Sequence, residues 1–328
     1  MVESEGNELM FRFPEVHDEA VCRLSFQRTL RIPDEDRAYP LPPGLGSFPI
    51  EHVEDYAGRL PTGWSEHGGV LLPMYQGEAL WISFYSGGYF YPCAVKIAAG
   101  KINAVTGEPW SKELSSAPQN YLVIPDQPWL DGFCVGKGLI RQFVAMPLGA
   151  GYTAEEQLTE KGEYGGLQVI VYPMKRKRYE ELLAERKLQE PVMAACYSLP
   201  SMGLAPGGLM RQEIFEDQYG LEAWDQNVSA RCFVHILNSV QWRTTTGRPV
   251  PGKPPTAADY TMAGLPWFDY YADNLVALGG STKLAGMDSV AVKGAKKGEQ
   301  PLLDNEAVTP QHVIKLGKKV RRVREGDG

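Results

Sequence analysis

From Arg23 to Ile32 the chain alternates apolar and polar residues almost without a break, the period-2 pattern of a strand with one dry and one wet face. Val70–Tyr75, Ala79–Tyr85, Pro92–Ala98, Asn120–Ile124 and Leu139–Met146 are further runs of strand length, bounded by Gly, Pro or Asn turns. Between the first two strands, residues 33–49 hold five prolines and two glycines and read as an irregular crossing.

After residue 150 the period changes. Thr153 followed by Glu156 is a capping box that predicts a short helix, and Thr256 with Asp259 predicts another over Ala257–Ala263. Gly166–Tyr172 reads as a buried strand ended by Pro173. Residues 175–189 read as a helix with Tyr179, Leu182, Leu183 and Arg186 on one face. Ile214-Phe215 and Phe233–Leu237 are strand-like, Arg248–Pro255 is a polyproline-type connector, and Trp267–Leu278 reads as a short helix. The expected class is strand-rich α+β, with antiparallel sheets packed as a sandwich or partial barrel and a few short peripheral helices. Residues 1–150 form a strand-rich half and residues 151–280 a mixed α/β half packed on it. Residues 281–328 form a basic, loosely ordered C-terminal segment with one strand at His312–Leu316.

Composition narrows the class. A chain of 328 residues with 43% hydrophobic and 22% charged side chains buries a sizeable core without staples. Five scattered cysteines without a C-x-x-C pair speak against zinc knuckles and a disulfide framework, and suit a reducing compartment. The acidic start Met1-Val2-Glu3-Ser4-Glu5 is unlike a secretory signal, and no apolar run has the length of a membrane span. A cytoplasmic location without a membrane partner is expected. Residues 283–328 carry ten basic and six acidic side chains, a net of +4, which leaves −11 on residues 1–282 of the total of −7. An acidic body disfavours nucleic acid as the main partner.

Candidate chemistry centres on two distant segments of one pattern, Pro128-Trp129-Leu130-Asp131-Gly132-Phe133 and Pro266-Trp267-Phe268-Asp269-Tyr270-Tyr271. Each offers an indole, a carboxylate two residues on and a second ring two beyond. Brought together they would make an aromatic cleft with two acids, suited to holding a ring or a hydroxyl, and to acid–base work if the two pKa values split. As ordinary residues, the tryptophans are core anchors and the aspartates turn or helix caps.

Other patterns are weaker. Cys232 and His235 are three apart, so on a strand they face opposite ways and cannot act as nucleophile and base. Five histidines lack i,i+2 or i,i+4 partners, and Glu213, Glu216 and Asp217 read as solvated turn residues, so no metal site is expected. Gly136-Lys137-Gly138 and Gly149-Ala150-Gly151 match no phosphate-binding motif. Lys175–Arg178 opens a helix against its dipole, with Glu180, Glu181 and Glu185 as the neutralising groups.

Four stretches resemble a family of uncharacterised bacterial proteins with no established activity: Gly100–Gly107, Gln127–Phe133, Arg141–Gly149 and Ala263–Tyr271. They span most of the chain, so the resemblance concerns the whole protein, and it implies no catalytic residue. The resulting expectation is a cytoplasmic binding or assembly protein that presents an aromatic, acid-containing surface to a ligand or protein partner. The alternative is a hydrolase using Asp131 and Asp269 as paired carboxylates. A third reading has the basic C-terminal segment docking on an acidic surface. Trp129, Asp131, Trp267, Asp269 and Tyr271 are the candidate ligand-binding residues, with Arg141 as an anion-binding neighbour. No catalytic residue, metal or cofactor is assigned. The partner is a small molecule or a protein, and homo-oligomer formation stays open.

Overall fold

The computed structural model describes residues 1–84, 90–186, 203–270, 272, 275–300, 302 and 304–316. Two large sheets pack face to face as a sandwich. The first has nine antiparallel strands, in the order Val2–Glu5, Glu8–Arg12, Val21–Leu30, Glu78–Ser83, Leu139–Met146 and Gly132–Gly136. Gly44–Ser47, Trp129–Leu130 and Gly203–Arg211 pair beside this path. The second has seven, in the order Leu122–Ile124, Cys93–Ala99, Leu167–Pro173, Ala230–Leu237, Val70–Pro73 and Glu51–His52, with Ile102–Asn103 beside Cys93–Ala99. Its Ala230–Leu237 and Val70–Pro73 strands run parallel. Neither sheet closes on itself, so the architecture is a strand-rich α+β sandwich, one of the two arrangements, sandwich or partial barrel, that the sequence pattern predicts.

One large core fills the space between the sheets. Leu24, Phe26, Leu80, Ile82 and Phe143 of the first sheet meet Val95, Ile97, Val169, Val171 and Val234 of the second. Both sheets take strands from both parts of the chain. Gly203–Arg211 joins the first, and Leu167–Pro173 and Ala230–Leu237 the second, so residues 1–150 and 151–280 share this core.

Several expectations are corrected. The second face of Val21–Leu30 is not wet: Ser25, Gln27 and Thr29 are buried, and the Thr29 hydroxyl donates to the Pro43 carbonyl at 2.8 Å. The turn-rich crossing supplies the acceptor for Thr29, while Gln27 Nε2 donates to Ser25 Oγ at 2.8 Å, pairings that periodicity alone cannot reveal. The described residues of Trp267–Leu278 form no helix. Trp267–Tyr270 is a strand, paired on one side with Val313–Leu316 and on the other with Leu41. Its aromatic residues suit a pleated surface, and the pairing decides the outcome. Gly203–Arg211, to which the periodicity assigns no element, holds Pro206 and three glycines and is a nine-residue strand. A Cβ on Gly207 would lie 2.3 Å from Val144 Cγ2, so this strand needs glycine to lie against its neighbour.

Parts of the C-terminal segment pack against the body. Ser281 and Ser289 cap two short helices, and Leu284, Met287, Val290 and Val308 are buried, the first two in the main core. Their apolar residues are too widely spaced to show as a periodic run. Leu284→Ala is therefore expected to lower the unfolding free energy by about 2–5 kcal/mol in a denaturant titration. A loss well under 1 kcal/mol would mean that this segment lies outside the cooperative core.

Candidate functional site

The site grows from a place where two strands part. Near one end, Glu78–Ser83 and Leu139–Met146 pair with each other, Ala79 opposite Val144 and Leu80 opposite Phe143. Farther along they separate, and the segment from Trp129 to Gly136 enters between them. Trp129 and Leu130 pair with Ser83 and Ile82, while Gly132 to Gly136 pair with Gln142 to Leu139. Asp131 is the residue at which the segment changes partner. Gly132 permits the change, because a Cβ there would lie 1.9 Å from the Arg141 carbonyl oxygen.

At this switch the Asp131 carbonyl accepts from the Phe143 N–H at 3.1 Å. Its own N–H has no strand partner and donates to Gln212 Oε1 at 3.0 Å. The amide nitrogen of Gln212 in turn donates to the Trp129 carbonyl at 3.3 Å, so one side chain stands in for a short piece of strand. The preceding residue, Arg211, donates from Nη2 to Asp269 Oδ1 at 2.9 Å. Consecutive residues at the end of the Gly203–Arg211 strand thus hold both Pro-Trp segments.

The two segments do come together. The Trp129 and Tyr270 rings meet edge to face, with centroids 4.7 Å apart, and Trp81 stands edge-on to the other side of Trp129 at 6.4 Å. A shallow surface cleft lies beside them, lined by Leu41, Pro128, Trp129, Arg211, Glu213 and Tyr270 among others. It is open to solvent, and its enclosed part has room for about one water molecule.

The other candidates play internal parts. Trp267 is 0% exposed in a second, smaller core with Ile32, Tyr39, Ile140 and Met210, and its indole N–H donates to Thr261 Oγ1 at 3.3 Å. Asp269 is held by Arg211. Arg141 lies against Asp34 at 3.5 Å and donates to the Gly207 carbonyl at 3.2 Å, and it does not line the cleft. Tyr271 lies outside the described residues. Tyr270, its neighbour, supplies the ring at the cleft. Pattern matching missed Tyr270 and Arg211, because Tyr270 is the unassigned position of the motif and Arg211 ends a strand that the periodicity does not mark.

Asp131 is 5% exposed, and burial pushes its pKa up to about 7, against the opposing effect of the Trp129 indole N–H, which donates to the carboxylate. Oδ2 has no hydrogen-bond partner among the described residues. The carboxyl does not line the cleft.

Elsewhere, Cys232 packs in the main core while His235 stacks on Trp64 at 4.5 Å, so the two do occupy opposite faces of their strand. Burial lowers the His235 pKa to about 4, in opposition to its hydrogen bond with the Gly68 carbonyl. Asp217 is more than a solvated turn residue: Oδ2 accepts from the Tyr121 hydroxyl at 2.5 Å and the Trp224 indole at 2.8 Å. Glu180, Glu181 and Glu185 pair with the basic cluster through Arg176 and Arg178, as expected. Among the described residues, no three His, Cys, Asp or Glu side chains gather to hold a metal ion.

The Asp131 shift has a consequence for stability. Well below the ordinary aspartate value of about 3.9 the carboxyl is protonated in both folded and unfolded chains and contributes no pH dependence. As pH rises towards 7 the unfolded chain releases a proton that the folded chain retains, so stability falls, and it levels off above the folded pKa. Wild type is expected to lose on the order of 2–4 kcal/mol relative to Asp131→Asn between pH 4 and pH 8, read from denaturant midpoints at the two pH values. Parallel pH profiles for the two proteins would show that Asp131 titrates normally.

No family model matches this chain, and no curated protein or solved structure is significantly similar to it.

Proposed function

We propose that this is a cytoplasmic binding or assembly protein whose recognition element is the Trp129–Tyr270 cleft. The observation that carries this reading is the division of labour in the site. Two rings from distant segments stand edge to face at an open cleft, while the acids that follow them in sequence are turned to internal bonds. A ring edge beside a ring face is a surface on which a flat or apolar group can be sandwiched. Arg211, with its side chain 52% exposed, and Glu213 offer opposite charges at the rim to orient a polar end. The shallow depth favours a single ring or one side chain of a protein partner over a large cofactor. Binding is favoured over hydrolysis because a pair of catalytic carboxyls must reach the substrate together, and neither Asp131 nor Asp269 lines the cleft.

Nuclear magnetic resonance of the Trp129 indole N–H tests this reading. Phenol, imidazole and N-acetylproline amide, each at millimolar concentration, serve as single-ring probes. At least one is expected to shift that resonance saturably in wild type, with the response weakened about tenfold or more in Tyr270→Ala. If none shifts it, or if Tyr270→Ala responds like wild type, the cleft is not a binding site.

A further inference from the structure

One pair of thiols spans the space between the two large sheets. Cys22 is the second residue of Val21–Leu30 in the first sheet, and Cys93 is the first residue of Cys93–Ala99 in the second. Both belong to the core between the sheets, at 3% and 0% exposure, and their side chains are in hydrogen-bonding contact. The Cys93 thiol also donates to the Tyr91 carbonyl at 3.5 Å. Burial alone raises the Cys134 pKa, and burial followed by Glu54 raises that of Cys232, so neither of these meets a thiol among the described residues.

The end of the sandwich that holds the pair is closed by contacts between elements of both sheets. In the turn between Glu8–Arg12 and Val21–Leu30, the Phe13 N–H donates to the Ala20 carbonyl at 2.8 Å. From that turn the His17 ring reaches Tyr91 at 5.8 Å and Tyr179 at 5.2 Å, and Glu19 accepts from the Tyr179 hydroxyl at 2.8 Å. Tyr91 stands two residues before Cys93. Ring contacts and hydrogen bonds of this kind open locally at less cost than the whole core.

A disulfide holds its sulfurs about 2.05 Å apart, and among the described cysteines this pair is the one already in contact. We propose that Cys22 and Cys93 form an oxidation site, at which hydrogen peroxide converts the thiol pair into a disulfide that joins the two sheets. When this end opens, Cys22 loses its proton and its sulfur attacks one peroxide oxygen. The O–O bond breaks, leaving a sulfenic acid on Cys22 and one water. The Cys93 sulfur then attacks the Cys22 sulfur, the S–O bond breaks, and the oxygen leaves as a second water with the Cys93 proton. The two sulfurs together give up two electrons, and both peroxide oxygens end reduced in water.

Burial holds the Cys93 thiol well above its ordinary pKa, and the thiolate is the reactive form, so the closed protein reacts slowly. A reducing compartment returns the pair to thiols, so the link forms in response to an oxidant. The bond connects residues more than 70 apart in the sequence, which restricts the unfolded chain and stabilises the fold.

The test treats folded full-length protein with excess hydrogen peroxide, blocks the remaining thiols, and maps the digested peptides by mass spectrometry without reductant. A linked Cys22–Cys93 peptide pair is expected, lighter by two hydrogen atoms than the separate peptides and parted by dithiothreitol. The thermal midpoint is expected to rise by about 5 °C or more and to return on reduction. Cys134→Ala and Cys232→Ala are expected to keep the linked pair, and Cys22→Ala to lose the rise in midpoint. The proposal is overturned if Cys22 and Cys93 stay free thiols or end as separate sulfinic acids. It is equally overturned if either links to another cysteine, or if Cys22→Ala shows the same rise on oxidation.

Discussion

The register of one strand, Leu139–Met146, governs the rest of the molecule. It pairs along one side with Gly203–Arg211, and along the other first with Glu78–Ser83 and then with Gly132–Gly136. Its side chains serve both interiors: Phe143 and Ala145 enter the large core between the sheets, and Ile140 enters the smaller core around Trp267. A slip of one residue would exchange these faces and place Arg141 where an apolar side chain is required. The same register sets where the Trp129–Gly136 segment can enter, and so where Asp131 must change partner.

The site is a product of that change of partner. An antiparallel ladder satisfies every N–H and C=O until a strand switches neighbours, and there a donor is left over. Gln212 meets the need at Asp131, and Arg211 ties the second Pro-Trp segment to the same place. The carboxyl of Asp131 is carried indoors by this geometry, which explains both its high pKa and its unpartnered oxygen. Neither of the two carboxylates that pair up along the chain lines the cleft, while the rings of Trp129 and Tyr270 meet beside it.

Where the local pattern and the final environment agree, the chain is easy to read. The strands at Val70–Pro73, Glu78–Ser83, Cys93–Ala99 and Leu139–Met146 carry dense apolar residues, and the capping boxes at Thr153 and Thr256 satisfy helix ends within four residues. Reading fails where a distant segment supplies the reason. Gly203–Arg211 has the composition of a loop, and its glycines make sense only against Val144 and Ile32. Trp267–Tyr270 becomes a strand only because Leu41 and Val313–Leu316 lie on either side of it.

For the site the split is sharper still. Amino-acid order alone determined that two Pro-Trp motifs exist, that Cys232 and His235 face apart on a strand, and that a strand-rich α+β fold of antiparallel sheets with capped helices would form. These follow from side-chain volume, period and capping, which act over a few residues. Tertiary structure decided that Trp129 meets Tyr270 and not Trp267, that Arg211 and Gln212 join the segments, and that both acids turn inward. Such outcomes depend on which unpaired backbone and charged groups meet when segments more than 80 residues apart are packed together, as Asp131 and Gln212 are, and no local pattern encodes that meeting.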